Sequence, residues 1–417
     1  MVSPSSAPKK QWIKFAIIVA LYLLFLYWIK APWGLLVVPF IFDVYITKII
    51  PWTWWRNIKN NTLRGIMSWV DALVFALVGV YFANLYWFQN YTIPSSSLEK
   101  SLLVGDYLYV SKVAYGPRRP ITPLTMPLTQ HNMPVWLGGG KSYFEKPHCS
   151  YRRVPGWGKI KQNDIVVFNY PEEDFRPVDR RENYVKRCLG LPGQTLEIRD
   201  RIVYTDGVAL KEPDNAQFFY QVQTTRPITE KLRRQLDISY EDLANRNPAG
   251  TFYALPLTNK SVEALRRRDD FVVSVTPYEM PTEGVFPKEK ATGWSIDNYG
   301  PLWIPAKGAT IDLTVDNLPF YERCITVYEG HTLSVAPDST ITIDGSPAKQ
   351  YTFAMDYYWM QGDNRHNSLD SRYWGFVPED HIVGKPRFIW LSLDKDRRLF
   401  DGKIRWRRMF TPVSKYN

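Results

Sequence analysis

Charge is missing from long stretches of the first hundred residues and regularly spaced after them. From Phe15 to Ile29 the chain reads FAIIVALYLLFLYWI, uncharged, between Lys14 and Lys30. With Trp12 and Ile13 added, it approaches the roughly 20 residues that a membrane-spanning helix needs. A second apolar run, Pro32 to Pro51, is interrupted by Asp43 and Lys48. A third has no charge between Asp71 and Glu99, and its segment ALVFALVGVYFANLYWF ends in the aromatic cluster typical of a membrane interface. The pattern predicts an anchor over residues 1–90 with two or three transmembrane helices. A cleaved leader does not fit the first run, because no small-x-small site follows promptly and further apolar runs come after.

Basic residues orient these helices. Lys9, Lys10 and Lys14 precede the first, and Arg56, Lys59 and Arg64 lie between the second and third. Positive flanks stay in the cytoplasm, so the chain after about Tyr91 emerges on the outer face whether two or three helices cross.

Beyond residue 91 the texture changes. The runs DYLYVSKVAY (106–115), DIVVFNY (164–170), YVKRCLGL (184–191) and TLEIRDRIVYTDGVAL (195–210) are β-branched and aromatic, with turn signals between them. The stretches 332–353 and 384–393 read the same way, with Asp344-Gly345 as a hairpin turn. Between 212 and 305 a more polar stretch with two helix-like pieces reads as an inserted α/β lobe. It separates two parts of a β domain, 91–211 and 306–417. A connection rich in proline and glycine, 116–160, predicts long loops.

Composition adds exclusions. The 417 residues are 45% hydrophobic and 22% charged, enough for a sizeable core and unlike a disordered chain. The net charge of +11 suggests nucleic acid at first sight, but the basic residues are spread along the chain without a nucleic-acid-binding motif. Cys149, Cys188 and Cys324 leave at least one cysteine unpaired, and no His/Cys spacing suits a metal.

Three segments carry candidate chemistry. The first, IPSSSLEKSLLVGDYLYVSK (93–112), follows the third apolar run directly. Taken alone, three serines after a proline read as well as a polar loop. Ser97-Leu98-Glu99-Lys100 also fits an S-x-x-K motif, but its partner motifs S-D-N and K-T-G do not occur and the flanks are strand-like rather than helical. A serine nucleophile needs a base, and the five histidines are scattered, with only His366 in a motif-like setting. A lysine can serve if burial lowers its pKa. Lys186 in NYVKRCLGLPG fits, on the strand face it shares with Tyr184 and Cys188. Lysines on strands are nevertheless more often solvated edge residues. The third segment, GDNRHNSLDSRYWGFVP (362–378), is dense in turn and polar residues. Its Asp363, Arg365, Asp370 and Arg372 suit a salt-bridge web, and Ser368 is a hydroxyl able to hold a buried amine.

Together these motifs resemble bacterial signal peptidase I, the membrane-bound Ser/Lys leader peptidase. The order matches: membrane helices, I-P-S-x-S with a downstream L-x-G-D, D-I-V-V-F, Y-V-K-R-C-L-G-L-P-G, then G-D-N-R-x-x-S-x-D-S-R-x-W-G-x-V. The resemblance covers about 85–215 and 325–400. It implies a mainly antiparallel β fold in two sheets, preceded by the transmembrane helices and carrying the inserted lobe. It also implies Ser97 as nucleophile, Lys186 as general base, Ser95 with the Ser97 N–H as oxyanion donors, Ser368 orienting the amine, and Asp370 with Arg372 as a supporting pair. Ile93, Pro94, Leu98, Leu102, Tyr184 and Val185 fall where the family lines its substrate pockets. No metal or organic cofactor is implied. The partners it implies are secretory preproteins with Ala-x-Ala-type cleavage sites and the lipid bilayer, with no nucleic acid. The location it implies is the bacterial cytoplasmic (inner) membrane, multi-pass, with the catalytic domain outside. A different reading is an inactive or dedicated-substrate homologue that binds preproteins as an anchored scaffold. The usual S-M-x-P-T-L is here Ser97-Leu98-Glu99-Lys100-Ser101-Leu102, so Met, Pro and Thr are replaced.

The charge pattern makes a first prediction. A phosphatase reporter fused after residue 100 should be active only outside the cytoplasm, and cytoplasmic activity at that junction would overturn the orientation.

Overall fold

The computed structural model describes residues 7–280, 284–288, 290–395 and 397–416. They fall into two compact units, Met1–Phe88 with Tyr115–Trp157, and Gln89–Ala114 with Gly158–Asn417.

In the first unit the apolar runs become helices because nothing in them breaks the backbone ladder. Lys9–Ile29 and Asn61–Tyr86 are the two helices among the described residues long and apolar enough to cross a membrane. Asn60 caps the second, its side-chain oxygen accepting from the N–H groups of Thr62 and Leu63. The middle run forms only a shorter apolar helix, Pro32–Thr47. Asp43 lies inside that helix and does not interrupt it. Its carboxylate collects donors from Thr47 Oγ1, the N–H groups of Ile49 and Ile50, and Trp52 Nε1, which turns the chain just beyond. The 115–157 connection holds one short helical turn, Val135–Leu137. Its base at Val154 packs with Leu26, Ile29 and Tyr86 at the ends of the long helices.

The second unit is mainly antiparallel β. Its largest sheet runs, edge to edge, Phe88–Thr92, Asp106–Ser111, Ile382–Ser392, Ile165–Asn169, Asn183–Gly190, Tyr357–Gln361 and Val377–Pro378. Alternation buries Leu108 with Val110 and Ile165 with Val167 in one apolar cluster. Ile93, Leu98 and Leu102 join the same cluster from the serine-containing loop, which sets where that loop can lie. A four-stranded sheet, Tyr299–Trp303, Thr195–Arg199, Ile202–Thr205 and Val208–Ala209, packs a second core that includes Leu196, Tyr299, Trp359 and Phe376. The Asp344-Gly345 turn joins Ile341–Ile343 to Ser346–Pro347 with φ of 51° and 78°, as a two-residue hairpin requires.

Residues 217–277 build a lobe of three antiparallel strands, Val272–Pro277, Gln217–Thr224 and Phe252–Thr258. Three helices cover it, Glu230–Gln235, Tyr240–Ala244 and Asn259–Arg266, each opened by a hydroxyl cap from Thr229, Ser239 or Thr258. Leu255 is fully buried at the centre of its apolar cluster. Leu255→Ala should therefore cost about 2–5 kcal/mol of stability. Denaturant unfolding in detergent checks this, and an unchanged midpoint would show that the lobe adds nothing to the cooperative unit.

Candidate active site

Ser97 sits in a tight turn after Pro94, with the Glu99 N–H donating to the Ser96 carbonyl and the Leu102 N–H to that of Leu98. Lys100 closes the turn at φ 70°. Leu98 and Leu102, both buried, fix it to the sheet core. The sequence puts a hydroxyl at Ser97 where the apolar residues on the far side leave it facing inward.

Lys186 comes from the strand Asn183–Gly190, in register with Val166 of the neighbouring strand. Its side chain is buried, and Nζ donates to Ser97 Oγ at 2.6 Å. The amine also lies 5.4 Å from the Tyr184 ring, the strand face expected from alternation. Burial pushes the Lys186 amine down to about 8, with Asp370 and Asp363 opposing the shift and Arg372 reinforcing it.

The 362–372 segment supplies the surroundings. Arg372 grips Asp370 in a buried fork, Nε to Oδ1 at 2.9 Å and Nη2 to Oδ2 at 2.8 Å, and the Gly362 N–H donates to Asp370. Asp363 pairs with Arg187 through two bonds of 2.7 Å and accepts a third from Ser101 Oγ at 2.6 Å. Arg365 reaches instead to Glu212 at 2.8 Å. The four charged residues thus form separate pairs, two of them with distant partners, and not one web.

Ile93, Pro94, Ser95, Leu98, Tyr184, Val185 and Ser368 join Ser97 and Lys186 around one cavity of about 630 Å³. Tyr184 is held there by stacking on Tyr170 at 4.7 Å and by the edge of Trp374. Leu102 lies apart. It is fully buried in the apolar cluster and is not among the described residues lining the cavity. Ser95 is exposed on the wall. The Ser368 hydroxyl is buried without a hydrogen-bond partner among the described residues, so it does not hold the Lys186 amine here. Beside the cavity, Tyr357–Gln361 meets the strand Asn183–Gly190 only over Arg187–Gly190, which leaves its Asn183–Lys186 half laddered on the other side alone.

Two competing partners for Ser97 are excluded by position. Lys100 pairs with Asp237 at 3.0 Å. His366 accepts at Nδ1 from the Phe219 N–H, so Nε2 carries the proton and donates to Asp297 at 2.7 Å. Both ring nitrogens are spent on structure.

Sequence reasoning missed Asn364, Asn367 and Gly362. The Asn364 N–H donates to the Ser97 carbonyl at 3.0 Å and its Nδ2 to the Ser96 carbonyl, while Asn367 Nδ2 donates to Ser96 Oγ. The only signal was the place of Gly362 and Asn364 in the G-D-N-R run, with Asn367 two residues beyond it. Gly362 is needed for space, since a Cβ there would lie 2.2 Å from Ser368 Oγ and 2.6 Å from the Ser97 carbonyl oxygen.

A hydroxyl held by a buried amine whose pKa is lowered towards neutrality can act as a nucleophile with its base. A family model described as signal peptidase, peptidase S26, matches residues 66–255 and 309–391. The class is that of a peptidase. The chain belongs to the signal peptidase family, S26. It is 24% identical over 353 residues to signal peptidase I of Buchnera aphidicola subsp. Acyrthosiphon pisum, covering 84% of this chain and 82% of the relative. With signal peptidase I of Haemophilus influenzae it shares 25% over 362 residues, 85% of this chain and 78% of the relative. A crystal structure of a signal peptidase I from Enterococcus faecalis matches 55% of this chain and 97% of its own at 18% identity, with a TM-score of 0.19, too low to carry weight.

Gly362→Ala should displace the Ser97 carbonyl and cost roughly a hundredfold in kcat/KM, the effect of a small misplacement of a reacting group. Cleavage kinetics on a model preprotein test this, and near-normal turnover would show that the 362–368 segment does not set the serine.

Proposed function

We propose that the chain is a membrane-bound serine endopeptidase that removes N-terminal signal peptides from exported preproteins with a Ser97/Lys186 dyad. The observation that carries this reading is the 2.6 Å bond between Ser97 Oγ and a lysine buried enough to lose its proton near neutrality. In the same reading residues 1–90 are the anchor, 91–211 and 306–417 the catalytic domain and 212–305 an insert. The helices Lys9–Ile29 and Asn61–Tyr86 cross the bacterial inner membrane, the basic Lys48, Arg56 and Lys59 between them keep the connecting segment inside, and the site faces outward.

The substrate enters as an extended strand along the unpaired side of Asn183–Lys186. Residues before the cut rest against Ile93, Pro94, Leu98, Tyr184 and Val185, which suit Ala-x-Ala sites. Neutral Lys186 takes the Ser97 proton as Oγ attacks the scissile carbonyl, and the resulting ammonium returns a proton to the leaving amine. The Ser97 N–H and the Ser95 hydroxyl stabilise the oxyanion, each donor of this kind being worth roughly 2.7–4 kcal/mol. Water, deprotonated by the same amine, then releases the acyl group. Ser368, with its hydroxyl unspent, turns to the amine when substrate arrives, and Asp370 with Arg372 supports the wall behind it.

With the amine at about 8, about one lysine in ten is neutral at pH 7, against about one in three thousand for an unperturbed side chain. Activity should rise with pH through about 8 and level off above it. Ser97→Ala and Lys186→Arg should each lose on the order of 10⁴-fold or more, since arginine keeps its proton, while Lys100→Arg should lose little. Cleavage of a model preprotein across pH decides the matter, and an active Lys186→Arg enzyme would end the dyad reading.

A further inference from the structure

Ser96 and Asn367 have a second face. Besides lining the cavity at Ser97, both line another of about 660 Å³, walled by the 99–104 turn, the lobe and Asp394, Lys395, Arg397 and Arg405. Ser96, next to Ser97 in the chain, and Asn367, hydrogen-bonded to Ser96 Oγ, are thus shared by the two cavities. We propose that the second cavity receives the first residues of the mature segment and that Glu99 recognises a cationic side chain there. This rests on Ser97 being the nucleophile, and it adds a specificity element on the far side of the cut.

Charge pairing singles out Glu99. The basic groups of this wall are already engaged: Arg233 and Arg234 with Glu230, Lys395 with Glu241, and Arg397 and Arg405 with Asp394. Of the acids, Asp237 holds Lys100 and Asp242 accepts from Ser239 Oγ. The Glu99 carboxyl has neither hydrogen bond nor ion pair among the described residues. Burial pushes it up to about 7, with Asp242 and Asp237 adding to the shift and Lys100 and Arg405 opposing it. A half-desolvated carboxyl without a partner gains more from an incoming ammonium or guanidinium than its paired neighbours do. An anionic side chain entering there meets the opposite effect.

The test is a series of preprotein peptides differing only in Lys, Ala or Glu at each of the first four mature positions. Above pH 8 the wild-type enzyme should favour Lys over Glu in kcat/KM by roughly fivefold at one or more positions. The ratio should shrink as pH falls below 7, and Lys186 cancels from it because both peptides need the same base. Glu99→Gln should bring the ratio to about one, while Glu99→Asp keeps its sign. Cleavage with a Lys/Glu ratio near one at all four positions, or a preference that Glu99→Gln leaves intact, overturns this inference without touching the dyad. Failure to cleave any peptide overturns the dyad reading itself.

Discussion

The structure turns on taking one lysine amine out of water. A buried ammonium is normally kept by a carboxylate bonded to it, which raises its pKa. Here the two nearest carboxylates are each committed elsewhere, Asp370 to Arg372 and Asp363 to Arg187. Their fields still favour the ammonium, but each arrives already offset by a guanidinium. Desolvation therefore outweighs attraction, and the amine ends near 8 instead of above 10.5. Arg372 does not touch the serine, yet its charge reinforces the fall in the lysine's pKa.

That balance needs tight placement, and the sheet supplies it. Lys186 and Arg187 are adjacent on one strand, so their side chains leave opposite faces. One meets Ser97 and the other Asp363. The neighbouring strand ends at Gln361, opposite Arg187, so the same strand is paired on both sides where it holds the ion pair and on one side over Asn183–Lys186. The 362–368 segment then clasps the serine turn from its backbone, through Asn364 and Asn367. A glycine at 362 allows the approach.

How much of this the sequence carries depends on the range of each interaction. The apolar helices, the β texture and the Asp344-Gly345 hairpin were legible because each rests on neighbours a few residues apart. The serine and the lysine were legible as motifs, though 89 residues separate them. Leu102 was assigned to the pockets through the family resemblance alone, and its side chain lies in the apolar cluster with Leu98, away from the cavity. Ser368 was read through the family role, but its orientation depends on the packing against Gly362. The clasp by Asn364 and Asn367 joins residues about 270 positions apart, and nothing in local pattern reports such a contact.

The lobe shows why the insert and the site belong to one mechanical unit. Its first strand begins at Gln217, whose N–H donates to the Asp363 carbonyl and whose carbonyl accepts from the Arg365 N–H. Two residues on, the Phe219 N–H donates to His366. The lobe is thus pinned to the backbone of the residues that grip Ser96 and Ser97, and it is pinned again to the serine turn by Lys100 and Asp237. A polypeptide hung by flexible linkers transmits nothing. One hydrogen-bonded to the backbone of 363–366 and ion-paired to the serine turn through Lys100 shares the geometry of that turn. That connection is a physical reason for a chain to retain some sixty residues beside the paired Ser97 hydroxyl and Lys186 amine.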